Sequence, residues 1–468
     1  MKKIIKTKQN LMAQRNASKN EKKQFIFNLK RIFSTSLFTY YFSFPPFHLK
    51  RIFIFSFSLL TFHLKRVSIF SFSLLTFHFV SAQQLETFIE EALVNSPEIQ
   101  KFEFQYQRTS EKVNEVNTIP NTEFGVGYFV SEPETRTGAQ RFKVSAKQMM
   151  PWFGNITARE NYVSSLADAK YEDIVIAKRK LMTSVSQSYY NLYTNKAKRK
   201  VLTENIKLLD SYKTLALTSV EVGKVSVVDV LRLQMRQNEL EQLKQVLEQQ
   251  YLAEQTKLNK LLNRDKSISV NVINELNLPS RDFEINLNNL ALHPELLKYD
   301  KLYHSVEKLE LLNQKQSSPM IGFGLDYIAV SERPNMAFSD NGKDIIMPMI
   351  SISIPIFNKN YKSKTKQNDL QQQEIVVQKQ ERFNTLETLL DKAVNERISA
   401  RITYTTQTKN LKQAKDAEEI LIKNYETGTI DFNDVLDIQE LQLKFQMNQI
   451  ESIKNYYVQT TIINYLSN

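Results

Sequence analysis

VGKVSVVDVLRLQ, residues 222–234, and TGTIDFNDVLDIQ, residues 427–439, are two copies of one motif. Gly223 and Gly428 hold the same place, followed at equal spacing by Asp229-Val230-Leu231 with Gln234 and by Asp434-Val435-Leu436 with Gln439. Around each glycine the chain lacks breakers. Residues 155–278 hold one Gly and no Pro, and residues 356–468 again one Gly and no Pro. Rich in Gln, Lys, Glu, Leu and Asn, both stretches read as long helices folded once at their glycine. Leu233, Leu240 and Leu247 recur every seven residues, as do Leu436, Leu443, Ile450 and Tyr457, the spacing of a coiled-coil seam. The arm 155–222 alone would extend on the order of 100 Å, longer than a globular domain needs.

Further from the glycines the duplication continues. Ser96-Pro97-Glu98 recurs as His293-Pro294-Glu295, Gly125-Val126-Gly127 as Gly322-Phe323-Gly324, and Met150-Pro151-Trp152-Phe153 as Ile354-Pro355-Ile356-Phe357. Each copy therefore reads as a helix, two short strands and a long helical hairpin, with copies at 83–280 and 281–468. A repeat of this length buries its apolar faces against its twin, which predicts pseudo-symmetry rather than two independent domains.

The strand segments alternate. Phe124, Val126, Tyr128 and Val130 share a face, as do Phe142, Val144 and Ala146 against Lys143, Ser145 and Lys147. Ile321, Phe323, Leu325 and Tyr327 share another, and Ile350, Ile352 and Ile354 alternate with Ser351 and Ser353. Segments of roughly 9–11 residues with one apolar and one polar face suit tilted membrane strands, lipid on one side and a lumen on the other. A soluble hairpin packed on the helices gives the same alternation. The linkers 131–140 and 331–343 are polar and turn-rich. Four strands cannot close a pore, and open edges are not tolerated in lipid. Three subunits of four strands would give twelve.

Composition narrows the function. The net charge of +12 suggests a nucleic-acid binder, yet residues 1–82 hold 14 Lys and Arg against the single acid Glu21, leaving 48 basic and 49 acidic residues. The basic excess belongs to the leader, and the nucleic-acid reading goes with it. No cysteine is present, so disulfides, thiolate metal sites and thiol nucleophiles are excluded. Three of the five histidines (His48, His63, His78) sit in the leader. No phosphate loop, metalloprotease helix or catalytic constellation is found, and neither an enzyme nor a cofactor is expected.

Within the leader, Lys65-Arg66, the apolar run 67–80 and Val80-Ser81-Ala82 read as a secretory signal cut after Ala82. FHLKRIFIFSFSLLT at 47–61 is nearly copied at 62–76, an odd feature for a signal, and residues 1–82 are set apart from the fold. With no apolar stretch in the body long enough for a membrane helix, any crossing falls to the strands.

With these residues placed, 84–468 resembles the TolC-type outer-membrane efflux factors. The marks are the duplicated layout, the exits Pro151-Trp152-Phe153 and Pro355-Ile356-Phe357, and the turns at Gly223 and Gly428 followed by Asp-Val-Leu. The resemblance implies a mainly α fold with short membrane strands. A homotrimer would form a twelve-stranded β-barrel in outer-membrane lipid and a helical α-barrel through the periplasm. It also implies a periplasmic adaptor and an inner-membrane transporter as partners. In the family an aspartate pair in the second hairpin faces the three-fold axis; Asp434 and Asp437 match it, and their i,i+3 spacing puts them on one helix face. Tyr425 matches a gate tyrosine, Asp431 adds an acid, and Ile430 departs from the pattern where a gate arginine stands. Three copies would set six carboxylates in a ring favouring cations. Asp434 and its mate Asp229 equally fit helix starters, by capping or dipole interaction. Asp437 has no such twin, since Arg232 stands in copy one. Gly223, Gly428 and Asp229 would mark the tips that dock the adaptor. Trp152, Phe153 and Phe357 would lie at the membrane interface.

The leading expectation is a passive, gated channel for export of small molecules, metal ions or protein, in a tripartite efflux or type I secretion system. The competing one is a periplasmic coiled-coil tether, which explains the heptads and leaves the Ile/Ser alternation unexplained.

Overall fold

Segments free of Gly and Pro satisfy their backbone N–H and C=O groups most simply within one helix, and here they run very long. The computed structural model describes residues 80–221, 226–282, 287–427, 429–430 and 432–467. Gly223, Gly428, Asp431 and leader residues 1–79 lie outside the described residues. The chain runs α1 (Val80–Asn95), α2 (Pro97–Val116), β1 (Thr122–Tyr128), β2 (Glu134–Thr135), β3 (Gly138–Pro151), α3 (Asn155–Glu221) and α4 (Val227–Leu261). A 3-10 turn, Leu287–Leu292, leads to α5 (Pro294–Gln316), β4 (Met320–Ser331), β5 (Ile345–Ser353), α6 (Asn360–Glu426) and α7 (Phe432–Ser467). No helix among the described residues is long and apolar enough to cross a membrane.

The long helices α3 and α6 are each 67 residues, about 100 Å at ~1.5 Å per residue. The shorter helices pack on both: α1, α2 and α4 on α3, α7 on both α6 and α3, and α5 on α3 and α6, more extensively on α3. The short helices meet end to end. Where α4 ends, Asn263 donates to the Asn95 carbonyl at 3.1 Å and Arg264 pairs with Glu91 at 3.0 Å, just before α2 begins. Where α7 ends, Asn289 donates to the Ser467 carbonyl at 2.9 Å, just before α5 begins. The Ser-Pro-Glu and His-Pro-Glu motifs are the helix starts at these two junctions. Ser96 Oγ accepts from the Ile99 N–H at 3.4 Å and His293 Nδ1 from the Glu295 N–H at 3.3 Å, each followed by Pro at the first helical turn.

The heptad seam packs as its spacing predicts. Leu233, Leu240, Leu247, Leu443 and Ile450 are buried, with Leu436 and Tyr457 half-buried. Apolar clusters follow one another along the bundle: Leu202, Leu209, Leu233 and Val435 toward the hairpin tips, Val185, Leu192, Leu258 and Ile99 at the first junction, Leu296, Leu386 and Leu466 at the second.

The strands form one antiparallel sheet in the order β1-β3-β4-β5, with the two-residue β2 on the far end of β3. The central pairing, β3 with β4, joins the two copies. Register aligns the alternation across strands. Phe124, Val126 and Tyr128 oppose Ala146, Val144 and Phe142; Val144 and Ala146 oppose Tyr327 and Leu325; Phe323 and Ile321 oppose Ile350 and Ile352. One face is thus a continuous apolar surface, and most of it is exposed. The opposite face is mixed: it carries Glu123, Lys143, Ser145, Lys147, Asp326, Ser351 and Ser353, with Lys143 ion-paired to Asp326, and also Met149, Met347, Met349, Ile328 and Ile345. Val130 and Ile354 fall just beyond the paired residues.

The Gly-x-Gly motifs lie on this second face. A Cβ at Gly322 would meet Met149 Sδ at 2.5 Å, so the glycine makes room for side chains reaching over from both neighbouring strands. Gly138, at φ +136, opens β3 where a Cβ would collide with the Ser331 carbonyl. The loops at this end are tied across the repeat by Arg136–Asp340 at 3.0 Å and Arg333–Glu134 at 2.9 Å.

Candidate functional site

The ends of the two long hairpins hold most of the residues singled out by sequence. At the close of α6 the Tyr425 ring is buried, 7% exposed, edge-on to Phe432 at 4.9 Å, and Phe432 also meets Tyr212 at 5.9 Å. Ile430 packs against the same cluster, a physical reason for an apolar residue at this place. The Tyr425 hydroxyl makes no hydrogen bond among the described residues.

The paired aspartates of the two copies meet different environments. Ser226, three residues before Asp229, caps α4 by accepting from the Val228 N–H at 3.2 Å. Asp229 is left to act on the helix dipole from the first turn, buried and 3.5 Å from Arg232. Asp434 and Asp437 are both exposed on one face of α7, with no ion pair among the described residues. Two copies of one motif have become a buried, paired acid in the first hairpin and two open carboxylates in the second.

Polar ties that sequence reading missed join the hairpins. Arg232 Nη1 donates to Asn433 Oδ1 at 2.6 Å, and Arg236 stands 3.6 Å from Glu440. Deeper, Gln439 Nε2 donates to Asn205 Oδ1 at 2.7 Å, and Asn205 Nδ2 to Gln446 Oε1 at 3.1 Å. Glu418 accepts from the Tyr212 hydroxyl and from Gln442 at 2.7 Å. Burial, then the hydrogen bond to Glu418 and its charge, push the Tyr212 phenol well above its ordinary pKa. The replacement of Asp437 by Arg232 in copy one was the one visible signal; the partner Asn433 carries none.

At the opposite end of the long helices the chain leaves the sheet through exposed aromatics. Phe153 is 81% and Phe357 95% exposed, and Trp152 lies edge-on to Phe153 at 5.9 Å. Between these ends, the junction of α5 and α7 gathers charge around Glu295, which accepts from Arg382 and from the Tyr465 hydroxyl, with Lys180 at 3.4 Å. Burial alone would raise the Glu295 carboxyl, but those hydrogen bonds and cations hold it below its ordinary range. His293 is driven the other way, to about 4, chiefly by burial. These groups are spent on one another and on helix ends, and among the described residues no cluster of His, Cys, Asp and Glu could hold a metal ion.

Residues 88–264 match the family model of the outer membrane efflux protein. No curated protein sequence matches the chain. Among solved structures, CusC, described in terms of folding and transmembrane channel formation, superposes with a TM-score of 0.69 at 15% identity, covering 83% of this chain and 93% of its own. The outer membrane protein VceC from Vibrio cholerae gives 0.67 at 16% identity, covering 82% and 96%. The open-state outer membrane channel MtrE from Neisseria gonorrhoeae gives 0.64 at 14% identity, covering 82% and 89%. At such identities the structural likeness is one of fold. The family match and the fold together bear out the resemblance to TolC-type efflux factors, and with it a mainly helical chain carrying short antiparallel strands.

Proposed function

We propose that this chain, an outer-membrane efflux channel protein by family and fold, works as a homotrimeric, passive and gated duct in a tripartite efflux or type I secretion system. One observation carries the reading. A four-strand path whose outer edges are unpaired among the described residues presents an exposed apolar face and a more polar opposite face holding the sheet's Lys, Ser and Asp, on top of two 67-residue helices. Unpaired edges in lipid leave several backbone groups unsatisfied at several kcal/mol each, on the order estimated for hydrocarbon. Pairing β1 of one subunit with β5 of the next removes them, and three copies close a twelve-stranded barrel. The apolar face then meets lipid, the polar face lines a lumen, and the helices continue the duct into the periplasm. Trp152, Phe153 and Phe357 sit at the lipid boundary in this arrangement.

The hairpin tips are then the periplasmic gate and the docking ends for an adaptor, with Gly223 and Gly428 at the turns and Asp229 just inside the first. Asp434 and Asp437, exposed and without an ion pair among the described residues, supply six carboxylates to a ring in the trimer, to which Asp431 would add. Tyr425 supports this ring from the interior rather than lining it. Such a ring favours cations and repels anions without choosing among small molecules, metal ions or protein as cargo. Direction and energy come from an inner-membrane transporter. The coiled-coil tether explains the helices but gives no use for an exposed apolar sheet face.

Single-channel recording in planar bilayers tests the reading. The protein is expected to conduct with cation preference, and Asp434→Asn with Asp437→Asn to lower the cation-to-anion permeability ratio severalfold while the trimer persists. Absence of conductance, or unchanged selectivity in the double variant, refutes the channel or the gate respectively.

A further inference from the structure

Helix starts in this protein fall into two electrostatic kinds. Helices α2, α4, α5 and α7 carry an acid in the first turn, Glu98, Asp229, Glu295 and Asp434, as the dipole favours. Helices α1, α3 and α6 carry none, and the last two are the helices that leave the sheet. The contrast is sharpest at α6. From residue 345 to 368 there are four lysines, Lys359, Lys362, Lys364 and Lys366, and no acid, whereas 369–426 holds nine basic and ten acidic residues. All four lysines are exposed and none has an ion pair among the described residues. Lys359, at the cap position, gives its helix no side-chain hydrogen bond. Lys362 and Lys366 stand four apart, a spacing at which like charges repel. Asn358 Oδ1 accepts from the Asn360 N–H at 2.9 Å at this helix start, but among the described residues no carboxylate offsets the lysines.

What adjoins it indicates what does. Ile356, 73% exposed, and Phe357 immediately precede these lysines, and Lys315 of α5 comes beside Gly154, next to the exposed Trp152 and Phe153. The lysines span roughly 10 Å along the helix axis, comparable with the headgroup layer beneath a bilayer's hydrocarbon edge, on the order of 5–8 Å. The inner faces of α5 and α6 are held by Asn313 on the Tyr361 carbonyl at 3.0 Å and Glu310 accepting from Asn368 at 2.7 Å. Lys359, Lys362 and Lys366 share a helix face turned away from those contacts.

We propose that the helix face shared by Lys359, Lys362 and Lys366 is a binding surface for anionic phospholipid headgroups in the leaflet on the helical side of the sheet. The exposed apolar belt fixes depth, and the lysines select charge within reach of an anionic surface. This surface anchors the start of α6 and lets lipid anions supply the negative charge its first turns lack. The proposal rests on the outer-membrane channel reading.

The test uses the full-length protein in nanodiscs of phosphatidylcholine, with and without phosphatidylglycerol, followed by thermal unfolding and by mass spectrometry of retained lipid. The wild type is expected to unfold several degrees higher with phosphatidylglycerol, an increment that shrinks at high salt, and to retain that lipid selectively. The variant K359Q/K362Q/K366Q is expected to insert normally and lose at least half of both effects, while the three Lys→Arg replacements keep them. A wild type indifferent to phosphatidylglycerol overturns the proposal, as does a glutamine variant with the full increment. Inorganic phosphate reproducing the increment in phosphatidylcholine discs overturns the leaflet assignment. Failure to insert in either lipid overturns the channel reading and the lipid surface with it, a result separable from insertion without lipid selectivity.

Discussion

His293 holds two carbonyl-and-amide obligations at once: Nδ1 accepts from the Glu295 N–H, and Nε2 faces the Tyr465 carbonyl at 3.2 Å. Only a neutral ring protonated at Nε2 serves both, and burial holds it so, with a folded pKa of about 4 against an ordinary 6.5. Between those values the unfolded chain binds the proton that the folded chain excludes. The stability at this position is therefore full above pH 6.5 and declines as pH falls toward 4. At ~1.4 kcal/mol per pKa unit the loss is on the order of 3 kcal/mol. Ser96 does the same capping work in the first copy without titrating. His293→Ser is thus expected to keep the α5 start and flatten the decline between pH 6.5 and 4, read from thermal melts of solubilised protein across that range. Parallel pH profiles for the two proteins would remove His293 as the cause.

At the scale of the element, the hairpins depend on their seam. Leu240, 2% exposed, sits midway in the α4 stripe, whereas Leu243 on the same helix is 43% exposed. Leu240→Ala should cost about 2–5 kcal/mol through lost burial and a residual cavity. Leu243→Ala should cost under about 1 kcal/mol in an isolated subunit, because its side chain has little burial to lose. Urea or thermal unfolding of the two variants checks the order, and equal costs would mean that the seam lies elsewhere. If Leu243 proves as costly in the assembled protein as Leu240, its exposed surface is covered by another subunit.

The whole molecule turns on the two open sheet edges. Within one subunit β1 and β5 are three strand spacings apart, roughly 14 Å at ~4.8 Å each. A disulfide needs Cα atoms within about 7 Å. The chain has no native cysteine, which leaves a clean background. Val126→Cys combined in turn with Ile346→Cys, Ile350→Cys or Ile352→Cys can link only between subunits. At least one pair is expected to give covalent trimers on oxidation in membranes, seen by non-reducing electrophoresis. Monomers from every pair would contradict closure by these edges.

How much was legible in advance varies with the range of the interaction. The breaker-free stretches, the heptad leucines and the Ile/Ser alternation state their local structure directly, because helix and strand periodicities are set within a few residues. The duplicated Pro-Glu motifs announced a repeat, yet their use as helix starts at an end-to-end junction became visible only with α4 and α7 in place beside them. Nothing in the sequence of Arg232 names Asn433 as its partner across two hairpins, nor tells Asp229 from Asp434 as buried against open. The sequence by itself determined the long helical hairpins, the four main strands, their order and the alternation along each strand, though not that α4 stops at Leu261, short of the expected 278, or that the linker 131–140 holds β2 and the start of β3. Only the tertiary structure decided that β3 pairs with β4 across the copies, and which carboxylates and which lysines of α6 have no ion pair among the described residues. Pairing and burial depend on residues hundreds of positions apart, and a local pattern carries no record of what will arrive next to it.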